Sequence, residues 1–407
     1  MQNWIERWGG NRTVLALSGA RMADALGNSI LIIILPIYVK EVAAGTFSLP
    51  TSALVGILVA LFGLVGALLQ PLMGSLADRT GRRKLFVQIA LALMGLGVLA
   101  FTVATQFSHL VVIRLLQATG FAMTVPASLA IMASATEQNT RGGSMGIFTT
   151  LRIIGFAIGP LLGGYLQVHY GFQVTFTIGA ALVFLSVFVV EVWVKEENVD
   201  VAPASQQARS PLSAFNFDQI TPALAAISAA TFMMAGSFSM MSPLENEFNA
   251  RLDQTAIGFG VAFSALMVSR LVLQTPLGRL SDRIGRKPLV VGGLLLLVPG
   301  TALLGYVSTT LQLVGVRILQ GGASAGVAAP AFALAADLSS AGTEERQMSV
   351  ITSGFSLGIA VGPLIAGFLA SVSFALPFLI GAGGCLIGAM LVQGFVPETR
   401  HAETVEA

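Results

Sequence analysis

The sequence predicts an all-α membrane protein of twelve transmembrane helices, arranged as two pseudo-symmetric six-helix bundles. Three observations predict it. The 407 residues are 55% hydrophobic and only 10% charged, with mean hydropathy +0.81, which leaves too little polar surface to coat a soluble body of this size. Apolar runs of bilayer length recur twelve times. A basic turn, Gly74-Ser75-Leu76-Ala77-Asp78-Arg79-Thr80-Gly81-Arg82-Arg83-Lys84, returns as Gly278-Arg279-Leu280-Ser281-Asp282-Arg283-Ile284-Gly285-Arg286-Lys287.

The polar segment Met1 to Arg12 carries two tryptophans and has neither the apolar core nor the cleavage site of a signal peptide, so it reads as an interfacial lead-in. Six runs follow, at roughly 13–39, 53–73, 85–105, 110–133, 145–167 and 173–194. Lys195 to Asp218, with Glu196, Glu197, Pro203 and Pro211, reads as a flexible linker. Six more runs fall at roughly 219–241, 255–277, 289–307, 311–334, 348–370 and 375–395. The expected organisation is therefore an N-terminal bundle over 1–194, a cytoplasmic linker over 195–218, and a C-terminal bundle with a short tail over 219–407.

An even number of spans puts both termini on one side. That side holds 15 of the 22 Lys and Arg, the other only Lys40 and Arg251, and five lie within spans. The positive-inside rule makes both termini cytoplasmic. Cationic residues gathered in loops rather than along one face give no nucleic-acid surface. The lone Cys385 forms no internal disulfide, and His109, His169 and His401 show no metal-ligand spacing, so neither a metal nor another cofactor is expected.

The duplication runs beyond the turns. Pro71 pairs with Pro276, Arg114 with Arg317, Pro126 with Pro330 and Gly159-Pro160 with Gly362-Pro363, always 203 to 205 residues apart. On these residues the chain resembles the major facilitator superfamily, and within it the twelve-helix drug:proton antiporters that include tetracycline and multidrug exporters. The turn resembles that superfamily's loop signature between spans two and three. The resemblance implies a conformational-gating role for Gly74, Asp78, Arg79, Gly81, Arg82 and Arg83, and for Gly278, Asp282, Arg283 and Arg286 in the second copy. Many relatives carry an acid at the cytoplasmic end of span four. Here Ala133-Ser134 stands there, Asp337 holds the matching place on span ten, and Glu137 is the candidate substitute.

Gly155-Phe156-Ala157-Ile158-Gly159-Pro160-Leu161-Leu162-Gly163-Gly164 looks like the family's antiporter signature on span five. Gly155, Gly159 and Gly163 share a helix face that lets a neighbour approach closely, and Pro160 removes a backbone donor. Ordinary tight packing is the competing account, since Gly354, Gly358 and Gly362 repeat the pattern.

A charge near the bilayer centre costs roughly 2.5–3.5 kcal/mol on insertion scales, so one that persists marks a pathway. Among the acids only Asp24 reads as deep, about 11 residues into span one and so roughly 16 Å down. Glu245 and Glu247, past Pro243, read as a wet outer rim. Arg21, Asp24 and Asn28 fall at i, i+3, i+7 and share one face toward the expected cavity. The string Asp24-Ala25-Leu26-Gly27 with Pro36 also looks like span one of tetracycline-type exporters. Removal from water resists ionisation of a carboxyl and an adjacent guanidinium favours it, so Asp24 is the candidate proton-coupling acid. The alternative is a static Arg21–Asp24 ion pair. Arg114, by resemblance to the family's span-four arginine, is the candidate partner of that proton. Arg152, Arg270 and Arg317 are the other buried bases, and they keep an anionic or zwitterionic substrate open. Met234 and Phe238, in the methionine-rich span seven, are candidates for the substrate cavity, with plain packing as the other reading.

The expected function is proton-coupled export of small amphipathic organic molecules or drugs by alternating access, in an inner membrane and driven by the proton gradient. A monomer in the lipid bilayer is expected. Uptake or uniport of a small metabolite is the alternative. A non-transporting receptor lacks a sensor domain in these loops, and an intramembrane enzyme would need a second deep acid or a His cluster.

Overall fold

A computed structural model describes residues 11–43, 48–136, 140–194, 221–338 and 344–398. Both the first ten residues and the expected linker lie outside these. The first half comprises α1 (Arg12–Val42), α2 (Thr51–Thr80), α3 (Arg83–Ala100), α4 (Phe107–Ser134) and α5 (Arg141–Trp193). The second comprises α6 (Pro222–Ser239), the short α7 (Glu245–Leu252), α8 (Ala256–Ile284), α9 (Arg286–Ala302), α10 (Thr310–Asp337), α11 (Glu344–Leu369) and α12 (Leu376–Phe395). The described residues contain no strand.

Eleven helices among the described residues are long and apolar enough to cross a bilayer. One of them crosses twice. The 53 residues of α5 would make a rod of roughly 80 Å, against a hydrocarbon core of about 30 Å. Gly171, at φ 77° and ψ −178°, breaks that helix into limbs 141–170 and 172–193. Only a residue without Cβ takes that φ cheaply. Twelve crossings result among the described residues, as the apolar runs predict.

Local chemistry explains several helix ends. The Asn11 side chain accepts from Val14 N at 2.8 Å, and Thr221 and Thr309 cap α6 and α10 through Leu224 N and Gln312 N, each at 3.2 Å. Gly81 closes α2 in the left-handed conformation, φ 66°.

Lipid offers no hydrophobic drive for helices to associate, so close backbone approach must supply the packing energy. The first limb of α5 lies along α1. A methyl group at Gly159 would fall 2.7 Å from the Leu26 carbonyl oxygen and collide with Ser29, and one at Gly163 would sit 3.2 Å from Ile30. Gly155 presses in the same way on Met22 and Ala25. In the second half Gly354, Gly358 and Gly362 of α11 seat against α6 at Ser228, Phe232 and Gly236. The glycine face predicted on span five is thus a seat for span one, repeated in the other half.

Among the described residues the buried apolar side chains form three cores. One belongs to the first half, from Val14 and Leu17 through Ala77, Phe86 and Met132 to Val190. A second belongs to the other half, from Leu224 through Val327 and Ile351 to Val396. Both lie toward the face that carries the termini. The third, away from that face, draws on both halves: Ile30 to Val39, Leu54, Leu58 and Phe176 pack in one cluster with Phe238, Phe248, Phe259 and Phe378.

The seam between halves is correspondingly tight at the far face. Gly56 and Gly63 of α2 abut Pro363 and Ala360 of α11, while Gly164 and Gly260 bring α5 and α8 together at Ala256 and Pro160. Ser52 Oγ donates to the Gly367 carbonyl at 3.1 Å, and Asn246 Nδ2 donates to the Pro36 carbonyl at 2.8 Å. The halves therefore share one core at the far face and keep separate cores at the terminal face.

Candidate functional site: a midspan recess between the halves

Asp24 is 3% exposed and Arg21 5%, so the predicted pair is inside the protein. Arg21 Nη1 lies 2.5 Å from Asp24 Oδ2, and Asn28 Nδ2 donates to Oδ1 at 2.7 Å. Helical spacing alone brings the three together. Both carboxylate oxygens are engaged, and the Arg21 guanidinium also lies over the Phe121 ring, 5.7 Å from its centre.

Arg152 lies on the first limb of α5, one turn before Gly155, which presses on Met22 and Ala25 of α1, and the same limb meets α8, the helix of Arg270, across the seam at Pro160 and Gly260. The charges of Arg21, Asp24 and Arg270 are felt at Arg152. Both Arg152 and Arg270 are half-buried. A guanidinium at mid-span that keeps partial access while facing other charges marks a polar recess rather than a lipid-facing surface. The Arg270 guanidinium stands over Phe238 at 5.9 Å and Phe355 at 5.7 Å, and its buried Nε has no hydrogen-bond partner. One turn along α8, the buried Oε1 of Gln274 is also unpaired.

The recess corrects several expectations. Arg114, the expected partner of the proton on Asp24, instead donates to Gln117 Oε1 at 3.2 Å and covers Phe62 at 5.2 Å. Arg317 repeats this with Gln320 at 2.8 Å and Phe263 at 5.2 Å. The bases that reach Asp24 are Arg21 and Arg152. Sequence reasoning named Arg152 only as a buried base, because its partners come from another helix.

Met234 is fully buried and belongs to the second half's own apolar core with Leu294, Val327 and Cys385, apart from the core that holds Phe238. Phe238, by contrast, presents its ring to Arg270. Glu245 and Glu247 do not form a wet rim: Glu245 is fully buried, and each has a buried carboxylate oxygen with no hydrogen-bond partner. A 3-10 turn, Ser242–Leu244, folds α7 into the far end of the seam. Asp24 is therefore not the only buried acid.

At the terminal face the two signature turns differ. Asp78's side chain and Glu137 lie outside what is described, and Arg79 and Arg82 are exposed while Arg83 is half-buried. Gly74 packs against Pro126, whereas Gly278 faces open space. In the second copy Arg286 pairs with Asp337 at the end of α10, reaches Asp282 at 3.7 Å and donates to the Ala333 carbonyl at 2.5 Å. Arg283 and Asp282 are exposed. In the first half a different ion pair stands at this face, joining Lys84 at the start of α3 to Glu191 near the end of α5 at 2.9 Å, with Gln88 on the same carboxylate at 2.6 Å.

Duplicated bundles, paired turns and a charged midspan recess converge on one family, whose model, Major Facilitator Superfamily, matches residues 17–257 and 223–407. The chain belongs to the major facilitator superfamily. It is 28% identical over 366 residues to multidrug resistance protein MdtG of Escherichia coli O9:H4 (strain HS), covering 88% of this chain and 87% of that one. Against MdtG of Klebsiella pneumoniae (strain 342) it is 27% identical over 361 residues, covering 88% and 86%. The crystal structure of the nucleoside transporter NupG superposes with a TM-score of 0.79 at 16% identity, covering 95% of this chain and all of that chain. That likeness carries the major facilitator fold. The protein is thus a multi-pass membrane transporter of small molecules, as other members of the superfamily are.

Proposed function

We propose that this major facilitator protein exports small amphipathic organic molecules in exchange for protons. One observation carries the reading: at mid-span, Asp24 is buried within reach of Arg21, Asn28 and Arg152 at the edge of the recess. A carboxyl so placed gains or loses its proton at a cost set by what occupies the recess, which is the requirement for coupling. The name of the MdtG relatives supports drugs as cargo. The halves rock about the site, parting at the terminal face, cytoplasmic by its Lys and Arg excess, where their apolar cores are separate. An inner-membrane monomer accompanies this reading.

Everted membrane vesicles loaded with a pH gradient test it. Cargo accumulation driven by acidification inside is expected from the parent chain and is lost in Asp24→Asn; coupling retained in that variant rejects the reading.

A second reading, uptake of a small metabolite, is favoured by the excess of guanidinium over carboxylate in the recess. An anion seated there would favour a proton on Asp24 rather than displace it, the sign that co-transport needs. Accumulation that runs with the proton in the same vesicles selects it.

A further inference from the structure

We propose that Arg152 and Arg270 form an anion-binding subsite that holds the carboxylate, sulfonate or phosphonate group of an amphipathic cargo, with Phe238 and Phe355 receiving its apolar body. The proposal rests on the recess being the cargo site and does not require exchange with protons, since a seated anion favours a proton on Asp24 rather than displacing it. Three observations carry it. The two guanidiniums come from different halves, on α5 and α8, whose backbones meet across the seam where Gly260 abuts Pro160 and Gly164 abuts Ala256, and the charge of Arg270 is felt at Arg152. Neither has a carboxylate within ion-pair distance among the described residues, whereas Arg21 has Asp24 and Arg286 has Asp337. Arg270 keeps a buried Nε without a hydrogen-bond partner, an N–H donor left for an oxyanion.

Like charges left facing each other in a region of low dielectric repel, and the fork geometry of guanidinium suits a planar or tetrahedral oxyanion placed between them. Arg21, Arg152 and Arg270 outnumber the single carboxylate of Asp24, so the site excludes an organic cation electrostatically. The aromatic pair, with ring centres 6.2 Å apart and Arg270 over both, leaves the apolar portion a stacking wall while the charge is met at its edge. Because the two bases belong to opposite halves, an anion bridging them also ties the halves together at mid-span. That contact exists only when cargo is bound.

The test uses the full chain in phosphatidylcholine nanodiscs and two probes of one shape, naphthalene-2-sulfonate and its trimethylammonium counterpart, with binding read by equilibrium dialysis. The sulfonate is expected to bind at least about tenfold more tightly than the cation, and Arg152→Gln or Arg270→Gln to remove most of that preference. Arg251→Gln, an exposed base at the far face, is expected to change nothing. Lysine at 152 or 270 is expected to restore part of the preference, which separates lost charge from lost folding. Asp24→Asn, which deletes the negative charge beside Arg152, is expected to tighten sulfonate binding.

Equal affinity for the two probes, or sulfonate binding unchanged in monodisperse Arg152→Gln and Arg270→Gln protein, overturns the proposal. Repeating the measurement in phosphatidylglycerol discs separates cargo from lipid: unchanged binding is expected, and loss of it would assign the bases to a lipid headgroup. Dialysis does not read proton-driven flux. A sulfonate preference without coupled transport would sink the exporter and leave the anion subsite standing; coupled transport without the preference would do the reverse.

Discussion

Ser29 and Ser239 make the same bonds in the two halves. Ser29 Oγ donates to the carbonyls of Leu26 and Gly155 at 3.1 and 3.3 Å, and Ser239 Oγ to those of Gly236 and Gly358 at 3.1 and 3.4 Å. The serines are 210 residues apart, while the glycines they meet keep the 203-residue repeat. This register places Met234 where the first half has Asp24, and Phe238 where it has Asn28. The charged face of α1 is matched by an apolar face on α6.

Met234 then behaves as core. Met234→Leu is expected to cost under about 1.5 kcal/mol, because the swap conserves volume. Thermal unfolding in detergent and flux should both stay near the parent. Asp24→Asn, by contrast, is expected to lose coupling while melting near the parent.

Gly159 is held by contact. Gly159→Ala is expected to destabilise by roughly 1–3 kcal/mol through overpacking against Leu26 and Ser29. Ser29→Ala in the same chain should recover part of the loss, since it clears the nearer obstacle. At Gly146 nothing lies within 4 Å of an added Cβ, so alanine there should move the melting temperature little.

The clamp of the second signature turn is asymmetric in its consequences. Arg286→Gln removes the ion pair to Asp337 and the charged donor to the Ala333 carbonyl, at a cost of roughly 2 kcal/mol. Arg283→Gln, exposed at the surface, should stay within about 0.5 kcal/mol. Thermal melts of the two variants decide it.

Widening the seam at the far face should change which side is open. A Cβ at Gly260 would fall 2.6 Å from the Pro160 carbonyl oxygen, so Gly260→Val weakens the sealed end without touching the recess. The expected result is faster labelling of a cysteine placed at Gln274 by an impermeant maleimide added from the far side. Cys385, buried and the chain's one cysteine, gives a quiet background. An unchanged labelling rate would mean that other contacts hold the seal.

Much of this was legible in the residues. Twelve apolar runs, a duplicated turn and repeated prolines predict the two bundles, and the i, i+3, i+7 set assembles Arg21, Asp24 and Asn28, because within one helix spacing is geometry. Arg152 and Arg270 show only as buried bases, since helices from different halves bring them together and no local pattern records that meeting. Glu245 was misread for a related reason: periodicity reports a face, not depth, and the turn after Met241 decides that α7 folds inward.

By itself, then, the sequence determined the membrane class, the repeat, and the sidedness expected from its bases, because each is a property of single segments or of their matching. Only the tertiary structure decided that the halves share a core at the far face and part toward the termini, that Met234 is core, and that Arg152 rather than Arg114 attends Asp24. Those depend on which helix faces meet across the seam, and that is a property of the packed whole.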